Sequence, residues 1–219
     1  MNKKVLKSGI IQILIYFGLT IIITAALTLL GVGFYLTTII GTVITTIIAI
    51  KLSSVNLLKE LKLFLKNKNK YFKNMLPYYL IGLSLMIITN YIITIFINDG
   101  AIAPNEAANR ELILNYKTYA IINSILIAPV VEEILFRYNF KNIYKNKNKY
   151  ILFTGLLFGF FHIVINLSSI GLLLYIIPYS LLGMALAKIY KECDSNIWSN
   201  IFIHMLHNAF TIALLLLNI

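Results

Sequence analysis

The stretch APVVEEILFR, residues 128–137, sets Glu132, Glu133 and Arg137 inside a run that is otherwise apolar. Charged groups at bilayer depth are costly, and they mark ion clusters, relays or reaction sites. Glu133 and Arg137 stand at i and i+4 with the acid N-terminal, the favourable order for a helical ion pair. Glu132 projects about 100° round the helix from Glu133 and has no local partner. An unpaired carboxylate beside a paired one, in a low-dielectric setting, is suited to moving protons. Taken alone, the pair is read equally well as a structural ion cluster at a helix end. Two later apolar stretches bear on the choice. FGFFH, residues 158–162, puts Phe158 and His162 at i and i+4, and Gly155 and Gly159 form a small-x-x-x-small step that lets a neighbouring backbone approach closely. HMLHN, residues 204–208, puts His204 and Asn208 at i and i+4, with Asn200 one turn earlier on the same stripe. All three histidines of the chain, His162, His204 and His207, lie in apolar stretches. A lone intramembrane histidine is more often structural, but a carboxylate pair, two separated histidines and an asparagine together are harder to dismiss as a structural cluster.

The elements that must position these residues are membrane helices. The chain has 219 residues, is 59% hydrophobic and only 12% charged, and has a mean hydropathy of +0.84, a composition outside the soluble range. Runs long enough to cross the ~30 Å hydrocarbon core fall at about 9–30, 34–52, 75–97, 118–138, 150–166, 169–189 and 197–218, which predicts an all-α polytopic bundle of about seven transmembrane helices. The first run is too long for a signal peptide and is expected to be retained. Gly31-Val32-Gly33 breaks what would otherwise be one overlong helix. There is no internal repeat of the kind that marks duplicated transporters.

All but Arg110 and Lys117 of the 19 basic residues fall on one set of connections, whereas Asp99, Glu106 and Glu111 fall on the other. The positive-inside rule then predicts a multi-pass cell-membrane protein with a cytoplasmic N-terminus. The net charge of +11 is accounted for by topology, which argues against nucleic-acid binding. In the basic connection 54–74, Leu57, Leu58, Leu61, Phe64 and Leu65 recur at helical spacing opposite Lys59, Lys62 and Lys66, which predicts a helix lying on the lipid bilayer. The chain is read as one integrated membrane domain, with N-terminal helices and this basic connection over 1–110 and a reactive core over 111–219. Cys193 is the only cysteine and excludes an intramolecular disulfide.

EEILFR matches E-E-x-x-x-R, FGFFH matches F-x-x-x-H and HMLHN matches H-x-x-x-N, in the order found in the CPBP family of CAAX proteases and bacteriocin-processing enzymes, also called Abi proteins. The resemblance covers about residues 118–212. It implies a CAAX-protease-like catalytic core and an intramembrane endopeptidase acting on a membrane-associated peptide or protein. Glu132 resembles the family's catalytic carboxylate, which with His162 activates a water. His204 and Asn208 resemble the pair that stabilises the oxyanion. Glu133, Arg137 and Phe158 take supporting positions, and His207 matches no motif position. The resemblance is compatible with a zinc ion on Glu132, His162 and His204, and also with a metal-independent glutamate mechanism; with no H-E-x-x-H pattern, no obligatory metal is the favoured expectation. An AT-rich bacterial source is suggested by the abundance of Ile, Asn and Lys. Bacterial members look linked to bacteriocin self-immunity or peptide pheromone maturation, and a non-catalytic immunity or scaffold protein of the same fold is the alternative.

Counted from the lysine-rich helix ends, Glu132 and His204 fall about 9–11 Å deep, and His162 about 18 Å deep for a helix starting at Tyr150. An earlier start among Lys145–Lys149 would change that offset. A shared cavity opening toward the cytoplasmic side is expected.

Overall fold

The structure, a computed structural model, describes residues 1–165 and 167–218, and among these it contains helices and no strand. In chain order the helices are α1 (Lys3–Leu29), α2 (Phe34–Ser53), α3 (Leu57–Lys66), α4 (Lys68–Ile92), α5 (Pro104–Ile122), α6 (Ala128–Glu133), α7 (Lys147–Val164), α8 (Ile176–Glu192) and α9 (Ile197–Asn218). Three of them open at lysine-rich junctions on an asparagine cap. The Oδ1 atoms of Asn2, Asn56 and Asn146 accept from the amides of Val5, Lys59 and Lys149, satisfying amides that the first turn leaves without a helical partner. The break between α1 and α2 is closed by Gly31 at φ +76, a left-handed conformation that glycine adopts without steric cost.

Among the described residues six helical stretches, not the seven expected, are long and apolar enough to cross a membrane: Lys3–Leu29, Phe34–Ser53, Lys68–Ile97, Pro104–Tyr138, Ile170–Glu192 and Ile197–Leu217. The protein is a multi-pass membrane protein. The stretch expected to cross over 150–166, whose last residue lies outside the described ones, forms helix α7 but is not among those six. Its lysine- and asparagine-rich first turn and its short apolar length set it apart.

The span expected over 118–138 begins much earlier, at Pro104, and is not a simple α-helix. It kinks at Tyr116 (φ −143, ψ 54), and π-helical turns at Asn123–Ile127 and Ile134–Tyr138 flank the six-residue α6. A π turn inserts one residue into the helical register and rotates everything after it, and such turns gather at functional sites. Here the two turns bracket the segment that carries Glu132 and Glu133.

Helix α3 corrects part of the reading of 54–74. Phe64 is buried against Tyr71 and Phe202, and Leu57 and Leu61 are half-buried on the protein core, whereas Leu58 and Leu65 are exposed. The Trp198 indole N–H donates to the Leu57 carbonyl at 2.8 Å, and the Asn196 amide donates to the Glu60 carbonyl at 2.9 Å. The apolar stripe is therefore shared between the protein and the outside.

Helices α7 and α8 approach most closely, as the small-residue step anticipates. A Cβ on Gly155 would meet the Met184 backbone at 2.8 Å, and one on Gly159 would meet the Ile176 carbonyl and the Ser180 amide, both at 2.7 Å. One continuous core joins Ile13 of α1 to Ile203 of α9.

Candidate active site

Glu132 and Glu133 differ in burial. Glu133 is fully buried, while the Glu132 side chain keeps 24% exposure. The difference follows from their 100° offset on the helix: Glu133 turns toward α9 and Arg137, and Glu132 toward a cavity.

Glu133 is the hub of the buried polar network. Its Oε1 accepts from His204 Nδ1 at 2.8 Å, and its Oε2 accepts from Asn200 Nδ2 at 2.9 Å and lies 3.4 Å from Arg137 Nε. Asn200 uses its second amide hydrogen on the Leu186 carbonyl at 2.8 Å. Arg137 donates from Nη2 to the Gly183 carbonyl at 3.2 Å and lays its guanidinium 4.3 Å from the centre of the Phe158 ring. The expected ion pair of Glu133 and Arg137 is therefore present. The supporting part given to Glu133 was too narrow, because it also fixes His204.

Phe158 supports both histidines. Its ring centre lies 3.9 Å from that of His162 and 5.7 Å from that of His204, and its carbonyl accepts from His162 Nδ1 at 2.9 Å. A carbonyl can only accept, so Nδ1 of His162 carries a hydrogen. Glu133, paired with Arg137, likewise accepts from Nδ1 of His204. Both imidazoles are thereby oriented with Nε2 free to face the reacting region. The His162 and His204 Nε2 atoms stand 3.4 Å and 3.8 Å from Glu132 Oε2. Neither separation is a hydrogen bond, and Glu132 Oε2 is left without a hydrogen-bond partner.

The offset in depth between Glu132 and His162 does not keep them apart. Helix α7 starts at Lys147, and the connection after Tyr138 sinks into the protein, where Phe140 and Ile143 are fully buried and the Ile143 carbonyl accepts from the Asn2 amide. The two helix ends therefore do not mark one common surface.

A cavity of about 520 Å³ contains Glu132, His162, His204, His207 and Asn208 in its lining. Asn208 donates from Nδ2 to the Ser124 carbonyl in the first π turn at 2.7 Å, which leaves its second amide hydrogen for the cavity. His207 is held through Nδ1 by the Tyr79 hydroxyl at 3.3 Å. The cavity runs toward the lysine-poor helix ends, where Asn105, Asn109 and the ion pair of Glu106 with Arg110 (2.8 Å) line it. This corrects the expected opening toward the lysine-rich side. The polar first half of α5, displaced by the kink at Tyr116, occupies that end.

Tyr179 escaped the sequence reading. Its ring stacks on His162 with centres 5.2 Å apart, and its phenol interacts with Asn105 and Glu106. The faint signal available was its place beside Ser180, which meets the glycine step of α7.

Among the described residues no three histidine, cysteine, aspartate or glutamate side chains are arranged to hold a metal ion.

A carboxylate and two imidazoles turned on one another inside a membrane bundle have the groups that hydrolysis needs. The family profile described as type II CAAX prenyl endopeptidase, Rce1-like, matches residues 114–210, a similarity consistent with a CPBP/CAAX protease family. The matched stretch takes in every residue from Glu132 to Asn208 and leaves α1 to α4 outside. No curated protein and no solved structure matches the chain.

Proposed function

We propose that the protein is an intramembrane endopeptidase in which Glu132 and His162 activate a water for attack on a peptide carbonyl. The observation that supports this most is the convergence of the His162 and His204 Nε2 atoms on Glu132 Oε2 at the wall of a polar cavity. The water gives its proton to the Glu132 carboxylate as its oxygen bonds to the carbonyl carbon. The resulting oxyanion accepts from the second amide hydrogen of Asn208 and from His204 when its Nε2 is protonated. Collapse of the tetrahedral intermediate breaks the C–N bond, and His162 relays the proton from Glu132 to the leaving amine. Glu133 and Phe158 hold the two imidazoles in the tautomers this sequence needs.

A membrane protease acts on membrane-associated substrates, and the polar end of the cavity near Asn105 and Arg110 gives a peptide backbone donors and acceptors along its path. The motif resemblance supports a peptide of the kind cut in bacteriocin self-immunity or in pheromone maturation, with a cytoplasmic N-terminus supported by the lysine distribution. Comparative peptidomics of membranes from cells carrying the wild type or Glu132→Ala tests the function. Peptides that disappear with the variant give substrate and cleavage site together. Identical peptidomes with a retained biological effect would instead establish a non-catalytic scaffold of the same fold.

A further inference from the structure

At the end of the bundle opposite the cavity's polar end, the turn after Tyr138 and the turn between α8 and α9 enclose a groove of about 510 Å³ whose lining includes Lys141, Lys145, Lys147 and Lys191. Lys191 is half-buried and its position is fixed. Its Nζ donates to the Lys141 carbonyl at 2.9 Å and lies 4.1 Å from the centre of the Tyr150 ring. The like charges of Lys147 and Lys141 bear on it. Asp194 also lines the groove, where its carboxylate pairs with Lys70 at 2.7 Å, and Glu192 nearby pairs with Lys188 at 3.0 Å and reaches Lys147 only at 3.7 Å. Burying an ammonium against two others raises the energy of the unoccupied groove, and an anion with several acceptor oxygens would relieve it.

We propose that this groove binds the phosphate of an anionic phospholipid, with Lys141, Lys145 and Lys191 as its donors. Three observations favour a lipid over a soluble anion. The groove lies at the lysine-rich ends of helices long enough to cross a membrane, and cationic pockets at such ends meet lipid headgroups. Tyr144 lines it, a residue type that settles at headgroup depth. Lys141 and Lys191 are stacked on the Tyr138 and Tyr150 rings, which directs them as fixed donors rather than mobile surface charges.

The test uses the full chain in a neutral detergent and reads thermal unfolding during titration with phosphatidylglycerol, phosphatidylcholine or inorganic phosphate. Phosphatidylglycerol is expected to raise the unfolding temperature saturably and phosphatidylcholine is not. Each of Lys141→Gln, Lys145→Gln and Lys191→Gln should weaken the apparent affinity about fivefold, the weight of one cation near an anionic headgroup. Lys62→Gln and Lys66→Gln, on the exposed side of α3, should leave it unchanged. Lys145 is exposed, so its variant reports on binding even where Lys191→Gln folds poorly. An equal shift from inorganic phosphate at the same concentration would make this a free-anion site. Equal losses from Lys62→Gln and Lys66→Gln would reduce it to general attraction to a charged surface, and no saturable shift would remove the site.

Discussion

Glu133→Gln separates the two tasks that the buried carboxylate performs. The glutamine keeps the volume but has one acceptor oxygen, so it cannot accept from both His204 Nδ1 and Asn200 Nδ2, which lie 2.8 Å and 2.9 Å from the two carboxylate oxygens. It also leaves Arg137, fully buried, without its counter-charge at 3.4 Å. Stranding one member of a buried ion pair costs about 3–5 kcal/mol. For a chain of this size that is a fall of roughly 6–20 °C in unfolding temperature, at about 2–4 °C per kcal/mol. Turnover measured well below that temperature should also fall at least about tenfold, the lower end of what a carboxylate contributes by orienting a histidine. Adding Arg137→Met removes the stranded charge and should restore much of the stability. It should not restore turnover, because one neutral amide oxygen cannot hold both His204 Nδ1 and Asn200 Nδ2 as the carboxylate does. The assays are thermal unfolding in detergent and cleavage of a substrate peptide in liposomes. Turnover within about twofold of wild type in Glu133→Gln, or a double variant that regains both properties, would refute the orienting role.

Asn208→Ala should lower kcat by about 10²–10³ with KM nearly constant, because its free amide hydrogen acts on charge that develops only in the transition state; loss of substrate affinity alone would take it out of that role. Gly159→Ala should lower yield and unfolding temperature by more than an ordinary overpacked site, about 1–3 kcal/mol, since the added methyl meets the Ile176 carbonyl and Ser180 amide rather than a movable side chain. Extended chelation of the purified enzyme should leave its activity intact, and activity lost and then restored by zinc would overturn the metal-free mechanism. Cysteines placed at 66 and 106 should be labelled from the inside and the outside respectively, and the reverse pattern would invert the topology.

Much of the site was legible because its parts are local patterns. The i, i+4 spacing put Glu133 with Arg137, Phe158 with His162 and His204 with Asn208 on shared helix faces, and the glycine step of α7 announced the close approach of α8. What joins these faces is not local. That His204 turns its Nδ1 to Glu133 while its Nε2 faces Glu132 depends on how α9 packs against α6, and no spacing encodes it. The π turns at 123–127 and 134–138 shift backbone hydrogen bonds without a distinctive residue type, so the register of α6 had to be seen. The polar stretch 104–117 lacks the apolar run that marks a membrane helix. Its membership in one long helix with the glutamates, and with it the end of the cavity it lines, was therefore hidden, and the expected opening fell on the wrong side.

The measurement closest to the central claim is single-turnover cleavage of the peptide identified by peptidomics, by purified wild type and Glu132→Gln in liposomes at equal folded concentration. Gln keeps the shape of the side chain at the cavity wall and removes the base, so the account predicts unchanged peptide binding and unfolding temperature with no detectable cleavage. Cleavage by Glu132→Gln at the wild-type rate would contradict it.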